Sequence, residues 1–113
     1  MHRSTILDDH PAEVHTNAKG TLSFATSGPD SRTTQLFINL VDNDFLDDSG
    51  FTPFAEVLGD GMADVVEKLE SSYGEGAPSG NGPDQSKIQA EGNAYLNAQF
   101  PLLSTLSSVT LVV

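Results

Sequence analysis

The chain contains no cysteine. Disulfides and thiolate chemistry are therefore excluded, and the redox compartment cannot be read from it. Basic residues are scarce: five Lys and Arg stand against sixteen Asp and Glu, for a formal charge of -11. A nucleic-acid surface or an anionic membrane would repel such a chain. Excess acid otherwise serves solubility. No apolar run approaches the roughly 20 residues needed to span a bilayer. The start, MHRSTILDDHPAEVH, lacks the apolar core of a secretory signal, and no N-x-S/T acceptor occurs. These signals leave the compartment undetermined. The length, 113 residues, suits one small domain.

Residues 1–19 are polar and hold all three histidines; they read as an irregular N-terminal arm with a short extended piece at 5–7. From Gly20 the chain alternates. Leu22 and Phe24 share one face, Thr21, Ser23 and Ala25 the other, which predicts a strand over 20–26. A turn-rich loop built on Gly28-Pro29-Asp30 follows. A second strand is expected over 35–41, with Leu36, Ile38 and Leu40 on one face and Gln35, Phe37 and Asn39 on the other. An acidic loop, 42–50, leads to a third strand over 51–58, with Pro53 near its start. Met62, Val65, Val66 and Leu69 recur at helical spacing, predicting a helix over 61–71 with Asp60 as its N-cap. Residues 74–86, dense in Gly and Pro, read as irregular. A short helix is expected over 91–100, stopped by Pro101, and a last strand over 108–113.

Gln35 and Phe37 lie on one strand face, about 7 Å apart by the two-residue repeat. An amide beside an aromatic ring suits a pocket that holds an apolar group and hydrogen-bonds a peptide. Phe45 and Leu46 on the next loop would close it, and the small Ala25 would leave room for a ring. Residue types alone leave a second reading open, in which Phe37 and Phe45 are core packing.

Other clusters point to plainer roles. Asp42, Asp44, Asp47 and Asp48 lack the calcium-loop pattern, which Leu46 and Ser49 break. Asp8, Asp9, His10 and His15 sit on the arm without a scaffold to hold a metal. GEGAPSGNG is followed by no Lys-Ser/Thr, so it is no phosphate loop. Arg32 reads as a solvated loop arginine. No metal or cofactor is expected, and no spacing suggests a Ser-His-Asp triad.

The order of GTLSFA, SGPDSRTTQLFI, a short acidic loop ending in FL, then PFAEV and GM before a helix resembles the second half of a cyclophilin, the β-barrel family of peptidyl-prolyl isomerases. SGPDSRTTQLFIN and YGEGAP look most like a bacterial and algal branch. The resemblance implies a mainly β chain: a partial antiparallel barrel with one or two helices, occupying residues 20–113 as a truncated domain. It implies that Ala25, Thr26, Gln35, Phe37, Phe45, Leu46 and Phe51 line a proline pocket. Ala25, Gln35, Phe37 and Leu46 keep the family's residue type. Thr26 stands where asparagine is usual, Phe45 where tryptophan is common, and Phe51 near the usual histidine.

Rotation about an X–Pro bond faces a barrier of about 18–20 kcal/mol. In the family an arginine, on a segment like F-[HY]-R-[VI]-I-P-G-F, donates to the prolyl nitrogen and weakens the amide resonance. That segment is not found here, and His2-Arg3 echoes it only faintly. Two functions are therefore expected as alternatives. One is a peptidyl-prolyl isomerase acting on proline-containing peptides or proteins, truncated and short of its catalytic arginine. The other is a degenerate relative serving as an accessory subunit, its open barrel edge covered by a protein partner.

Overall fold

The cleanest alternation in the sequence forms the sheet. In the computed structural model, which describes residues 5–9 and 15–112, TLSF forms β1 (Thr21–Phe24), LFI forms β2 (Leu36–Ile38) and AE forms β3 (Ala55–Glu56). The sheet order is β2-β1-β3, antiparallel throughout. Leu22 pairs with Ile38, Ser23 with Phe37 and Phe24 with Leu36. Across the other side, Thr21 pairs with Glu56 and Leu22 with Ala55. The third strand is far shorter than the 51–58 expected. Pro53 supplies no N–H to a ladder, and the pairing begins only where the Phe54 N–H reaches the Leu22 carbonyl at 3.0 Å.

The turn between β1 and β2 has Gly28 at φ 141° and Asp30 at φ 54°. The first needs glycine; the second is a conformation Asp tolerates better than most. Ser31 secures the turn, accepting from the Ser27 N–H at 2.8 Å and donating to the Gly28 carbonyl at 2.7 Å. The extended piece foreseen at 5–7 is a single antiparallel bridge between Ile6 and Arg32. The acidic loop is more ordered than expected: Asp44–Ser49 forms a 3-10 helix ended by Gly50 at φ 86°.

The helix expected over 61–71 is broken. α1 covers only Gly61–Asp64, and a 3-10 turn covers Val66–Lys68. Asp60 occupies the cap position without a side-chain bond to the helix. Two adjacent β-branched valines weaken the helix where it stops, and Val65, at φ -126° and ψ -62°, has left helical geometry.

The described residues separate into two compact units, one up to Glu67 and one from Lys68 onward. In the second, the Gly- and Pro-rich run expected to be irregular contains β4 (Gly76–Ala77) and β5 (Gly82–Asp84), paired in parallel. Glycine permits that pairing: a Cβ on Gly82 would stand 2.8 Å from the carbonyl oxygens of Gly74 and Glu75. Asp84 caps α2 (Gln85–Glu91), accepting from the N–H groups of Ser86 and Lys87. Gly92 at φ 59° turns the chain into α3 (Asn93–Gln99), which stops before Pro101 as expected. Tyr95 is buried there, and Phe100 meets the rings of Tyr73 and Tyr95 edge-on, with centroids 4.9 and 5.7 Å away. No strand forms over 108–112; a strand needs a neighbour to accept its hydrogen bonds, and these residues have none among those described.

Among the described residues the strands close no barrel, and helical turns occupy more of the chain than strands do. No helix there is long and apolar enough to cross a membrane.

Candidate functional site

The best-buried side chains of the first unit are polar: Asn17, Ser23 and Asn39. A buried amide is stable only when its donors and acceptors are matched, and Asn17 is fully matched. Its Nδ2 donates to Asp47 Oδ1 and to the Phe51 carbonyl, both at 2.8 Å. Its Oδ1 accepts from Ser23 Oγ at 2.8 Å and from Asn39 Nδ2 at 3.2 Å. Its backbone N–H reaches Asp47 Oδ1 at 2.8 Å, and its carbonyl takes the Asn43 N–H at 2.7 Å. One residue thus ties β1, the end of β2, the acidic 3-10 helix and the start of the third segment. Asp47 also accepts from Thr16 Oγ1 at 2.6 Å. The hydroxyl of Thr16 and the amide of Asn17 hold the Asp47 carboxyl below its ordinary value.

This network was not visible as a site in the sequence. The only signal was an asparagine three residues before a strand-opening glycine. Ser23 and Asn39 turn inward because Asn17 is there to bond them.

The network sets the surroundings of the residues singled out for a proline pocket. Ala25 and Gln35 are joined, the Ala25 N–H donating to the Gln35 carbonyl at 3.0 Å. Phe37 and Phe51 are joined, their rings edge-on at 5.7 Å. Leu46 is half-buried, next to Asp47; the Asn17 amide that binds Asp47 also binds Phe51, so the segments carrying Leu46 and Phe51 share one anchor. Phe45 stands 71% exposed on the 3-10 helix. Thr26 turns its hydroxyl to the Gly28 carbonyl at 2.6 Å and to Ser31. Gln35 is exposed.

Arg32 is not the solvated loop arginine expected. Its side chain is only 20% exposed, with Nε 3.2 Å from Asp8 and Nη2 3.4 Å from Asp9 and 2.6 Å from the Leu7 carbonyl. Asp8 and Asp30 also exchange bonds, each carboxylate accepting the other's N–H at 2.9 and 2.7 Å. This clamp holds residues 6–9 to the turn and leaves Arg32 engaged. Arg3 and His10 lie outside the described residues, and among those described no three His, Asp or Glu side chains gather around a metal-sized site.

A separate open groove of about 1120 Å³ runs past Phe24, Phe54 and Ala55, with Asp8, Asp9 and Glu56 among its lining. None of the seven pocket residues lines it.

Comparison with known proteins gives this arrangement a family. Residues 2–91 match the cyclophilin type peptidyl-prolyl cis-trans isomerase/CLD family. The chain belongs to the cyclophilin-type family. Peptidyl-prolyl cis-trans isomerase B of Escherichia coli (strain K12) is 52% identical over 62 residues, covering 48% of this chain and 37% of that protein. A peptidyl-prolyl cis-trans isomerase of Acinetobacter baylyi is 48% identical over 67 residues, 51% of this chain and 35% of the relative. Peptidyl-prolyl cis-trans isomerase A of Dickeya dadantii is 43% identical over 61 residues, 49% and 32%. This cyclophilin-type chain therefore spans about a third of the length of the curated relatives it matches, and its residues 92–113 fall outside the family match.

Proposed function

We propose that the chain carries the proline-binding part of a cyclophilin-type isomerase, folded as part of the family's barrel, and receives proline-containing peptides at Ala25, Thr26, Gln35, Phe37, Phe45, Leu46 and Phe51. The edge-on pair of Phe37 and Phe51 supports the reading most directly. In this reading the two rings form the apolar wall against which the proline ring packs. In this scheme the ring is held in the apolar slot while the preceding carbonyl turns. Gln35 and the backbone near Thr26 bond the peptide, as the resemblance implies.

The scheme requires a cation at the prolyl nitrogen, because a preorganised charge lowers the cost of breaking amide resonance. Arg32 is ill-suited to supply it, being engaged by Asp8, Asp9 and Leu7. The 113-residue chain is therefore expected to bind X–Pro peptides yet turn them over slowly, about 10²–10³-fold below a relative with its full charge in place. The experiment is a peptide isomerisation assay combined with amide chemical-shift mapping. Peptide-dependent shifts at Ala25, Phe37 and Phe51, abolished in Phe37→Ala, support the pocket. Shifts confined to other residues sink it.

The alternative, an accessory subunit of a larger assembly, draws on the edges of the β2-β1-β3 sheet that no further strand pairs among the described residues. It predicts peptide binding without turnover even when an arginine-bearing segment is supplied.

A further inference from the structure

The 3-10 helix Asp44–Ser49 carries two residues of the proposed pocket, Phe45 and Leu46, yet has little of its own to hold it in place. None of its residues is buried, and Asn43 at its start makes no side-chain bond to it. Phe45 is mostly solvated and Leu46 only half-buried. Apolar burial therefore contributes little to fixing this helix.

What fixes it is polar and comes from residues 16–19. The Asp47 carboxylate accepts from Thr16 Oγ1 at 2.6 Å and from the backbone N–H and Nδ2 of Asn17, both at 2.8 Å. Before the helix, Asp42 Oδ1 accepts the Lys19 N–H at 2.9 Å, and the Asn43 N–H donates to the Asn17 carbonyl at 2.7 Å. After it, the Phe51 carbonyl accepts from Asn17 Nδ2 at 2.8 Å. Asn39 stands two residues beyond Phe37, on the same side by alternation. It donates to Asn17 Oδ1 at 3.2 Å and accepts from Asn43 Nδ2 at 2.9 Å. The segments bearing Phe37, Leu46 and Phe51 are thus all referred to one amide.

We propose that Thr16, Asn17 and Asp47 are positioning residues for the proline pocket. Charge-assisted bonds to one carboxylate, which are the stronger kind, set where Leu46 and Phe51 stand against Phe37. The inference rests on the proline-pocket reading and adds to it three residues that touch no substrate in that scheme. A site whose supporting bonds are loosened by about 1 Å keeps its residues and loses its grip.

The test uses the full chain and two measurements. One is the set of nuclear Overhauser contacts between the Phe37 and Phe51 rings in the free chain. The other is the Kd of a Gly-Ala-Pro-Phe-Gly peptide from amide shifts. Thr16 is exposed, so Thr16→Val removes the hydroxyl at nearly constant shape from a chain that still folds. It should weaken the peptide about three- to tenfold and diminish the ring contacts. Thr16→Ser should restore both, and Asp47→Ala should lose more of both than Thr16→Val. Ile38→Val, on the opposite face of β2 from Phe37, controls for stability: it should lower the urea midpoint and leave ring contacts and Kd unchanged. Affinity that follows the urea midpoint alike in Thr16→Val and Ile38→Val would overturn the proposal, as would unchanged ring contacts in Thr16→Val. A wild-type chain that binds no X–Pro peptide sinks the proline pocket alone; the ring contacts of the free chain then decide the positioning role by themselves.

Discussion

At the scale of single residues, Asn17 carries more of the first unit than any apolar side chain. It bonds Ser23, Asn39, Asp47 and the Phe51 carbonyl at once. Replacing it by alanine leaves several of those groups buried and unmatched. Asn17→Ala is expected to lose roughly 2–4 kcal/mol, read as a lower urea midpoint at an unchanged slope. Asp47 adds a pH dependence of definite sign. Its carboxyl is held low by Thr16 and Asn17, so the unfolded chain binds its proton first as pH falls. The contribution is complete above the unfolded value of about 3.9 and is lost as pH drops through the lowered folded value. The difference in stability between wild type and Asp47→Asn should therefore shrink as pH falls below the ordinary carboxylate value of about 3.9. A difference constant over that range would show that the network does not depend on the charge.

At the scale of elements, the second unit depends on close backbone approach more than on side-chain burial. β4 and β5 meet where Gly82 passes the carbonyls of Gly74 and Glu75. Gly82→Ala forces a Cβ into those oxygens, which backbone alone must move to relieve. A cost of about 1–3 kcal/mol is expected, with faster amide exchange over residues 82–91 because α2 starts directly from β5. The same substitution at Gly50, where nothing lies near the added carbon, costs only the strain of a left-handed residue, about 1 kcal/mol. The two variants together separate steric from conformational reasons for glycine.

At the scale of the whole molecule, apolar surface and charge are unevenly distributed. Leu106, Val109, Leu111 and Val112 are each more than four-fifths exposed, in a stretch from Pro101 onward that has no charged residue. A β-prone, uncharged, exposed segment promotes association. Leu111→Lys should therefore raise the concentration at which light scattering appears, without altering the unfolding midpoint. An unchanged threshold would place the association elsewhere.

The sequence by itself determined the two principal strands, their antiparallel turn, the end of α3 before Pro101 and the family. Each rests on local chemistry: a period of two in apolar residues, Gly-Pro-Asp between them, a missing N–H, and an ordered string of motifs. It also put Phe37 and Phe51 forward together, but only through the resemblance. Tertiary structure decided the rest. Ser23 and Asn39 face inward because a residue outside the strand, Asn17, satisfies them, and no periodicity encodes a partner at that distance. Arg32 is sheltered because Asp8 and Asp9 fold back onto the turn. The glycine-rich run around β4 and β5 becomes ordered because the absence of side chains lets two backbones approach. Conversely, β propensity over 108–112 yields no strand, since propensity cannot replace a neighbouring edge to bond. Local preference specifies which conformations a segment favours; which of them persists depends on whether its polar groups find partners.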